Sequence, residues 1–211
     1  MEAVGIIAEY NPFHAGHALH IRETRRRTGD RAVVAVMSGN FVQRGDCAVL
    51  DKWTRARTAL EGGADLVLEL PTVWAVSSAE SFARGAAGIL EACGAVAFLS
   101  FGSECGDADK LKQVAACLDS EPYRAGLRRF LDEGMPFAAC RQAAARDMLG
   151  RELSELLSQP NNNLGVEYIR ALNAANSGVR PIAIPRVGAG HDGGEHPDYP
   201  AASFVRGEML S

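Results

Sequence analysis

No pairing pattern links the cysteines of this chain. Five of them (Cys47, Cys93, Cys105, Cys117 and Cys140) are scattered, and none forms a C-x-x-C. An odd, unpatterned set argues against a disulfide scaffold or a zinc site and fits a reducing compartment. No apolar run approaches the roughly 18 residues of a membrane-spanning helix. No charged-then-apolar leader stands before the first apolar run, so no signal or transit peptide is expected and the expected location is cytoplasmic. Basic charge is not in excess: 22 Lys and Arg stand against 26 Asp and Glu, for a net charge of -4. With a pI near 5.8, broad nonspecific nucleic-acid binding is not expected. Local basic faces remain open. Arg22, Arg25, Arg26, Arg27 and Arg31 form one cluster, and Arg124, Arg128 and Arg129 another. Each is either a solvated helix face or a surface for a phosphate backbone. There is no internal repeat and no long linker.

What is present is an alternation of apolar runs and helical patterns. Strands are predicted at Ala3–Glu9, Arg31–Met37, Asp65–Leu70 and Ala95–Phe101. Helices are predicted between them at Gly16–Thr28, Lys52–Glu61 and Ser77–Cys93. This order implies an α/β fold with a parallel sheet and helices on both faces. From Asp107 to Leu157 the pattern is helical, which predicts an insertion over 107–159 between two parts, 1–106 and 160–211, of a single α/β domain. Residues Ser158 to Asn163 read as a turn and helix cap, with a helix running on through Leu164–Ala174. Val179–Val187 reads as a fifth strand near an edge, because Pro181 and Pro185 cannot donate to a ladder. Gly188–Pro200 is a Gly-rich loop with His191 and His196, and Ala202–Leu210 starts one more helix.

Right-handed crossovers place every strand's C-terminal end on one edge. The loops Glu9–His17, Ser38–Asp46, Glu69–Thr72 and Gly102–Gly106 then converge, as a ligand crevice requires. The sharpest local signal lies in the first loop. His14-Ala15-Gly16-His17 stands where the first strand hands over to the first helix. Free backbone N–H groups and the helix dipole favour a phosphate there. Gly16 permits close approach, and His14 and His17 can donate to phosphoryl oxygens as charge develops. No P-loop lysine is involved. A metal site is not expected, because no third ligand accompanies the two imidazoles.

Other candidates compete with plainer roles. Asn11-Pro12 sets a turn, and Phe13 reads as a core plug or a base platform. Gln43 and Arg44 offer donors from a two-glycine loop, and Arg44 could fork a carboxylate or phosphate. Asp51 is a candidate N-cap for a helix that opens with Lys52 and Arg55, where an anionic ligand would offset the unfavourable dipole. Trp53 reads as packing rather than stacking. Gly102 would let a nucleotide lie against the backbone. Arg186, Ser203 and Arg206 are suited to phosphates.

Together, the blocks from Val4 to His17, from Met37 to Gly45, from Asp51 to Arg55 and from Gly63 to Pro71 resemble the bacterial tRNA(Met) cytidine acetate ligase family. So do Phe101-Gly102-Ser103-Glu104, Pro160-Asn161-Asn162 and Arg186. The resemblance implies a Rossmann-like HUP nucleotidyltransferase fold of the H-x-G-H type. It implies ATP-dependent activation of acetate to acetyl-adenylate and acetyl transfer to N4 of the wobble cytidine of elongator tRNA(Met). Carried over by motif, the ATP site comprises Ile7, Glu9, Tyr10, Asn11, Pro12, Phe13, Gly16, His20, Gly102, Asn161 and Arg186, with Ser203 and Arg206 on the phosphates. His14, His17 and Arg44 would carry the chemistry, with Mg2+ on the polyphosphate and acetate near the Ser38–Arg44 loop. Family members run longer, with a C-terminal region that contributes to tRNA binding. Ala201 stands where the family has a serine, and Asn163 where it has an aliphatic residue. The alternatives are adenylyl transfer to another small acceptor, or an ATP- or RNA-binding module without catalysis.

Overall fold

The structure is a computed structural model that describes residues 2–186 and 202–210. Five strands form one parallel sheet: β1 (Ala3–Ala8), β2 (Ala32–Ser38), β3 (Leu66–Leu70), β4 (Val96–Ser103) and β5 (Arg180–Pro185). Their spatial order is β3-β2-β1-β4-β5. The helices are α1 (Ala15–Thr28), α2 (Lys52–Glu61), α3 (Thr72–Ala75), α4 (Ala79–Ala92), α5 (Ala108–Asp119), α6 (Glu121–Asp132), α7 (Phe137–Glu155), α8 (Pro160–Ala174) and α9 (Ala202–Leu210). The chain steps outward from β1 to β2 and β3, then returns to the other side for β4 and β5. The order therefore reverses between β1 and β4, and a crevice opens there beyond the strand ends.

Period-two alternation sorts the core. Val4 and Ile6 of β1 pack with Val33, Ala35 and Met37 against Ile21 of α1 and Ala59 of α2. Ala3 and Ile7 face the other way, with Val34, Val36, Leu99 and Phe101. That face is covered by Phe82, Ala83 and Leu90 of α4, Leu111 and Val114 of α5, and Val166 and Ile169 of α8. Each fully buried Val, Leu or Ile contributes about 1.5–3 kcal/mol. Gly5 lies under α4, where a Cβ would stand 2.6 Å from Leu90 Cδ1. A larger residue there would force the Leu90 side chain to shift.

The predicted elements appear with shifted ends. The fourth strand runs on to Ser103, and the helix expected from Ser77 begins at Ala79 after the short α3. The stretch expected to be helical over 107–157 divides into α5, α6 and α7, and Tyr123, Ala144 and Ala145 join the same buried cluster as Leu99. Asn161, Asn162 and Asn163 are not a turn before a helix but lie in the first turn of α8, since Pro160 needs no N–H partner at the first helical position. β5, with Pro181 and Pro185, is an edge strand. His191, His196, Ala201 and the side chain of Ser203 lie outside the described residues.

Candidate functional site

The loop after β1 is shaped by its own short-range bonds. Tyr10 takes a left-handed φ of 47°, and the Asn11–Pro12 peptide is cis. His14 then caps α1: its Nδ1 accepts from the Gly16 amide at 3.1 Å. The His14 amide in turn donates to Nδ1 of His17 at 3.3 Å. This reciprocal arrangement is a capping box built from two imidazoles. It also fixes their protonation. An Nδ1 that accepts carries no proton, so in the neutral ring the proton sits on Nε2. The two rings lie face to face with centroids 3.8 Å apart, tilted by 31°.

Both rings are held neutral. Burial lowers the pKa of His14, and the Arg186 charge lowers it further. Burial pushes His17 well below the usual histidine range, assisted by His14, His20 and Arg186. His20 is lowered to about 4, chiefly by burial and then by Arg186. A bound anion would reverse part of these shifts, because opposite charge favours the protonated form. The first turn of α1 carries no acidic residue, so its positive dipole end is left for a ligand.

The opposite wall comes from β4, β5 and α8. Glu104, just past β4, accepts from the Asn161 amide at 3.2 Å and the Asn162 amide at 2.8 Å. Its Oε1 also accepts from Asn161 Nδ2 at 2.6 Å. A carboxylate thus caps α8 across the chain. Arg186 Nη1 donates to Asn161 Oδ1 at 3.3 Å, and a Cβ on Gly102 would lie 3.4 Å from Arg186 Cγ. Gly102, Asn161 and Arg186 therefore meet, and the charge of Arg186 reaches His14 and His17. Arg206 of α9 donates to the Asn11 carbonyl at 2.9 Å and closes over the first loop.

Other predicted site residues are occupied within the protein. The Ile7 side chain is buried in the sheet core, so only its backbone is available. Glu9 Oε1 accepts from the Gln43 amide at 2.7 Å, and Asn11 Oδ1 from the Val49 amide at 2.9 Å. Pro12 is buried. The Tyr10 hydroxyl is buried without a partner, and burial pushes its pKa up. Phe13 packs edge-on against Tyr10 at 5.0 Å and near His17 at 5.6 Å. His20 Nε2 bonds Ser100 Oγ at 3.0 Å, and that oxygen bonds Thr24 Oγ1 at 2.6 Å. His20 thus ties α1 to β4. Arg44 is exposed on the tight turn at 42–46, with no hydrogen bond or ion pair among the described residues.

Two expectations are corrected. Arg55 is not open to an anion: it is fully buried. Its guanidinium donates to the carbonyls of Glu9 at 2.5 Å, Leu50 at 3.1 Å and Ser38 at 3.2 Å, and also to that of Gly39. It clamps the loops after β1 and β2 to one another. Lys52 pairs with Glu69 at 2.7 Å, while Asp51 does cap α2 through the Trp53 and Thr54 amides. Trp53 is not packing, being 75% exposed.

The first arginine cluster is largely absorbed by the fold. Arg25 bonds Asp65 and the Gly63 carbonyl, Arg27 the Ala183 carbonyl, and Arg31 Glu2. A groove of about 560 Å³ lined by Arg22, Arg25 and Arg26 opens on the outer side of α1.

Residues 1–211 match the HIGH Nucleotidyl Transferase family. Among curated relatives, the tRNA(Met) cytidine acetate ligase of Caldanaerobacter subterraneus is 48% identical over 192 residues. That of Halothermothrix orenii is 44% identical over 202 residues. Each match covers 90% of this chain and 48% of the relative. The crystal structure of Thermotoga maritima TmcAL bound with alpha-thio ATP is similar to this chain with a TM-score of 0.90 at 39% identity. It covers 100% of this chain and 50% of that one. The chain thus spans about half the length of the relatives it matches. By the match along its whole length and the paired imidazoles at the head of α1, it belongs to the HIGH nucleotidyl transferase family.

Proposed function

We propose that the protein activates acetate with ATP and passes the acetyl group to N4 of the wobble cytidine of elongator tRNA(Met). An acetate oxygen attacks the α-phosphorus, and the bond to pyrophosphate breaks. The cytidine N4 then attacks the acetyl carbonyl carbon, AMP leaves with the bonding pair, and N4 gives up a proton. The observation that carries the reading is the double histidine cap. It leaves two Nε2–H donors, fixed in tautomer and position, at a helix N-terminus that faces Arg186. Donors set in place before the reaction stabilise the charge that gathers on the α-phosphoryl oxygens. The names of the curated relatives and the nucleotide bound to the Thermotoga protein support ATP and tRNA as substrates.

Glycine at position 102 leaves room for the nucleotide against β4, and Arg186 answers the phosphate charge. Magnesium would come with the polyphosphate, held by its oxygens and water. The described residues contain no group of three or more His, Cys, Asp or Glu side chains placed to bind a metal ion. A cytoplasmic setting goes with a tRNA substrate, and among the described residues no helix is long and apolar enough to cross a membrane.

Acetate-dependent exchange of pyrophosphate into ATP tests the reading directly. Exchange with acetate is expected. Exchange that ignores acetate but answers another small acceptor would assign the same machinery to adenylyl transfer. ATP binding without exchange would leave a nucleotide-binding module.

A further inference from the structure

Trp53 is far more exposed than a packing residue. At 75% it stands in solvent, although Asp51 holds its amide at 2.9 Å and so fixes its place in the first turn of α2. Arg57 lies one turn further along the same helix face, also exposed. Residues four apart on a helix are neighbours. The Lys52 ammonium sits 5.3 Å from the Trp53 ring centroid. The Lys52 amide reaches Asn40 Oδ1 at 3.3 Å, which ties the head of α2 to the loop that carries Phe41 and Arg44. Phe41 is 40% exposed.

The charges around this aromatic patch are of two kinds. Asp51 caps the helix and Glu69 holds Lys52. The guanidinium groups of Arg44 and Arg57 have no hydrogen bond or ion pair among the described residues. Asp46, next to Arg44 on its turn, is the carboxylate that an incoming strand would pass. A single exposed aromatic residue needs no explanation. An exposed indole on a helix tied through Lys52 to the loop of an exposed phenyl ring, together with two guanidinium groups unpaired among the described residues, is the composition that binds single-stranded RNA. Bases stack on the rings and phosphates meet the cations.

We propose that Trp53, with Phe41, Arg44 and Arg57, forms a docking platform for an unpaired base of the RNA acceptor, on the β2–β3 side of the sheet edge. This rests on the reading of the acceptor as tRNA. An apolar protein surface would have no use for the two free guanidinium groups, which is why RNA is the occupant argued for.

The chain has two tryptophans, so Trp74→Phe leaves Trp53 as the only indole reporter. The probe is the anticodon stem–loop RNA of elongator tRNA(Met). Saturable quenching of Trp53 fluorescence that weakens as salt rises is expected. Filter binding on the otherwise unmodified chain checks the result without touching Trp74. There, Trp53→Ala should weaken RNA binding about tenfold, and Trp53→Phe less, because a phenyl ring still stacks. Absence of quenching, or equal RNA binding by the unmodified and Trp53→Ala proteins, overturns the platform. Acetate-dependent pyrophosphate exchange uses no RNA and separates the two failures. Exchange without RNA binding at Trp53 removes the platform and leaves the adenylation reading standing. RNA binding at Trp53 without exchange removes adenylation and keeps the platform.

Discussion

On the β1–β4–β5 side of the sheet edge, polar groups answer one another. His14 and His17 cap α1, Glu104 caps α8, and Arg186 meets Asn161. On the β2–β3 side, such bonds hold the base of the loop, through Arg55, Glu9 and Asn11. Above it Arg44, Trp53 and Arg57 face solvent. Under the proposed function, the contrast follows from what each side would have to hold. A phosphoryl group that gains charge during reaction needs donors already oriented, and orientation comes from hydrogen bonds to fixed backbone. A long, flexible polymer can be gripped by exposed rings and cations that order only on contact.

Removing a donor from the first side gives the largest expected effect. His17→Ala should slow acetate-dependent pyrophosphate exchange about 100- to 1,000-fold, as loss of one preorganised donor does elsewhere. Near-normal exchange in that variant would break the contrast at its strongest point. Arg55→Ala comes next. It leaves the carbonyls of Glu9, Ser38, Gly39 and Leu50 without their donor, and each buried group left unpaired costs about 1–3 kcal/mol. Urea unfolding should show a loss of about 3 kcal/mol or more. Arg55→Lys should recover little, because one ammonium cannot replace a planar fork.

Acid should act on the first side as well. His20 has a folded pKa of about 4 against an ordinary value of 6.5. The unfolded chain therefore binds more protons in that interval, and stability rises with pH there. The contribution is fully present above about pH 6.5 and is lost as pH falls toward 4, at a cost of up to about 3 kcal/mol. His14 and His17 shift the same way and add to it. A melting temperature that stays level from pH 7 to about pH 4.5 would contradict this linkage. The smallest effect belongs to the α8 cap. Glu104→Gln keeps the shape but weakens charge-assisted bonds to two amides and Asn161, for about 1 kcal/mol. It should raise KM for ATP several-fold with little change in kcat, since Asn161, which accepts from Arg186, is held less firmly.

How much of this was legible depended on range. The place of His14 and His17 at the head of α1, the Asp51 cap and the β-α-β order follow from contiguous motifs and local periodicity, and the sequence pattern shows them; that the two imidazoles cap the helix is seen only in the structure. Trp53 and Arg55 were misjudged for one shared reason. They are two positions apart near the start of a short helix with apolar residues on more than one face. Periodicity did not show which face meets the sheet. The sheet meets Arg55 and Ala59 and leaves Trp53, Arg57 and Leu60 outside. The role of Glu104 was missed because the amides it caps lie 57 and 58 residues further on.

The amino-acid sequence by itself determined the strands, their alternation, the Asp51 cap and the family, because each depends on local periodicity or contiguous motifs. Only the tertiary structure decided which polar groups are consumed by the fold and which are left for a ligand. Arg55 reaches back 46 residues to Glu9, and Arg206 reaches 195 to Asn11. Contacts at such separations exist only once the strand ends have converged. A side chain's burial, and with it the pKa of His17 and His20, is set by that convergence and not by its neighbours in the chain.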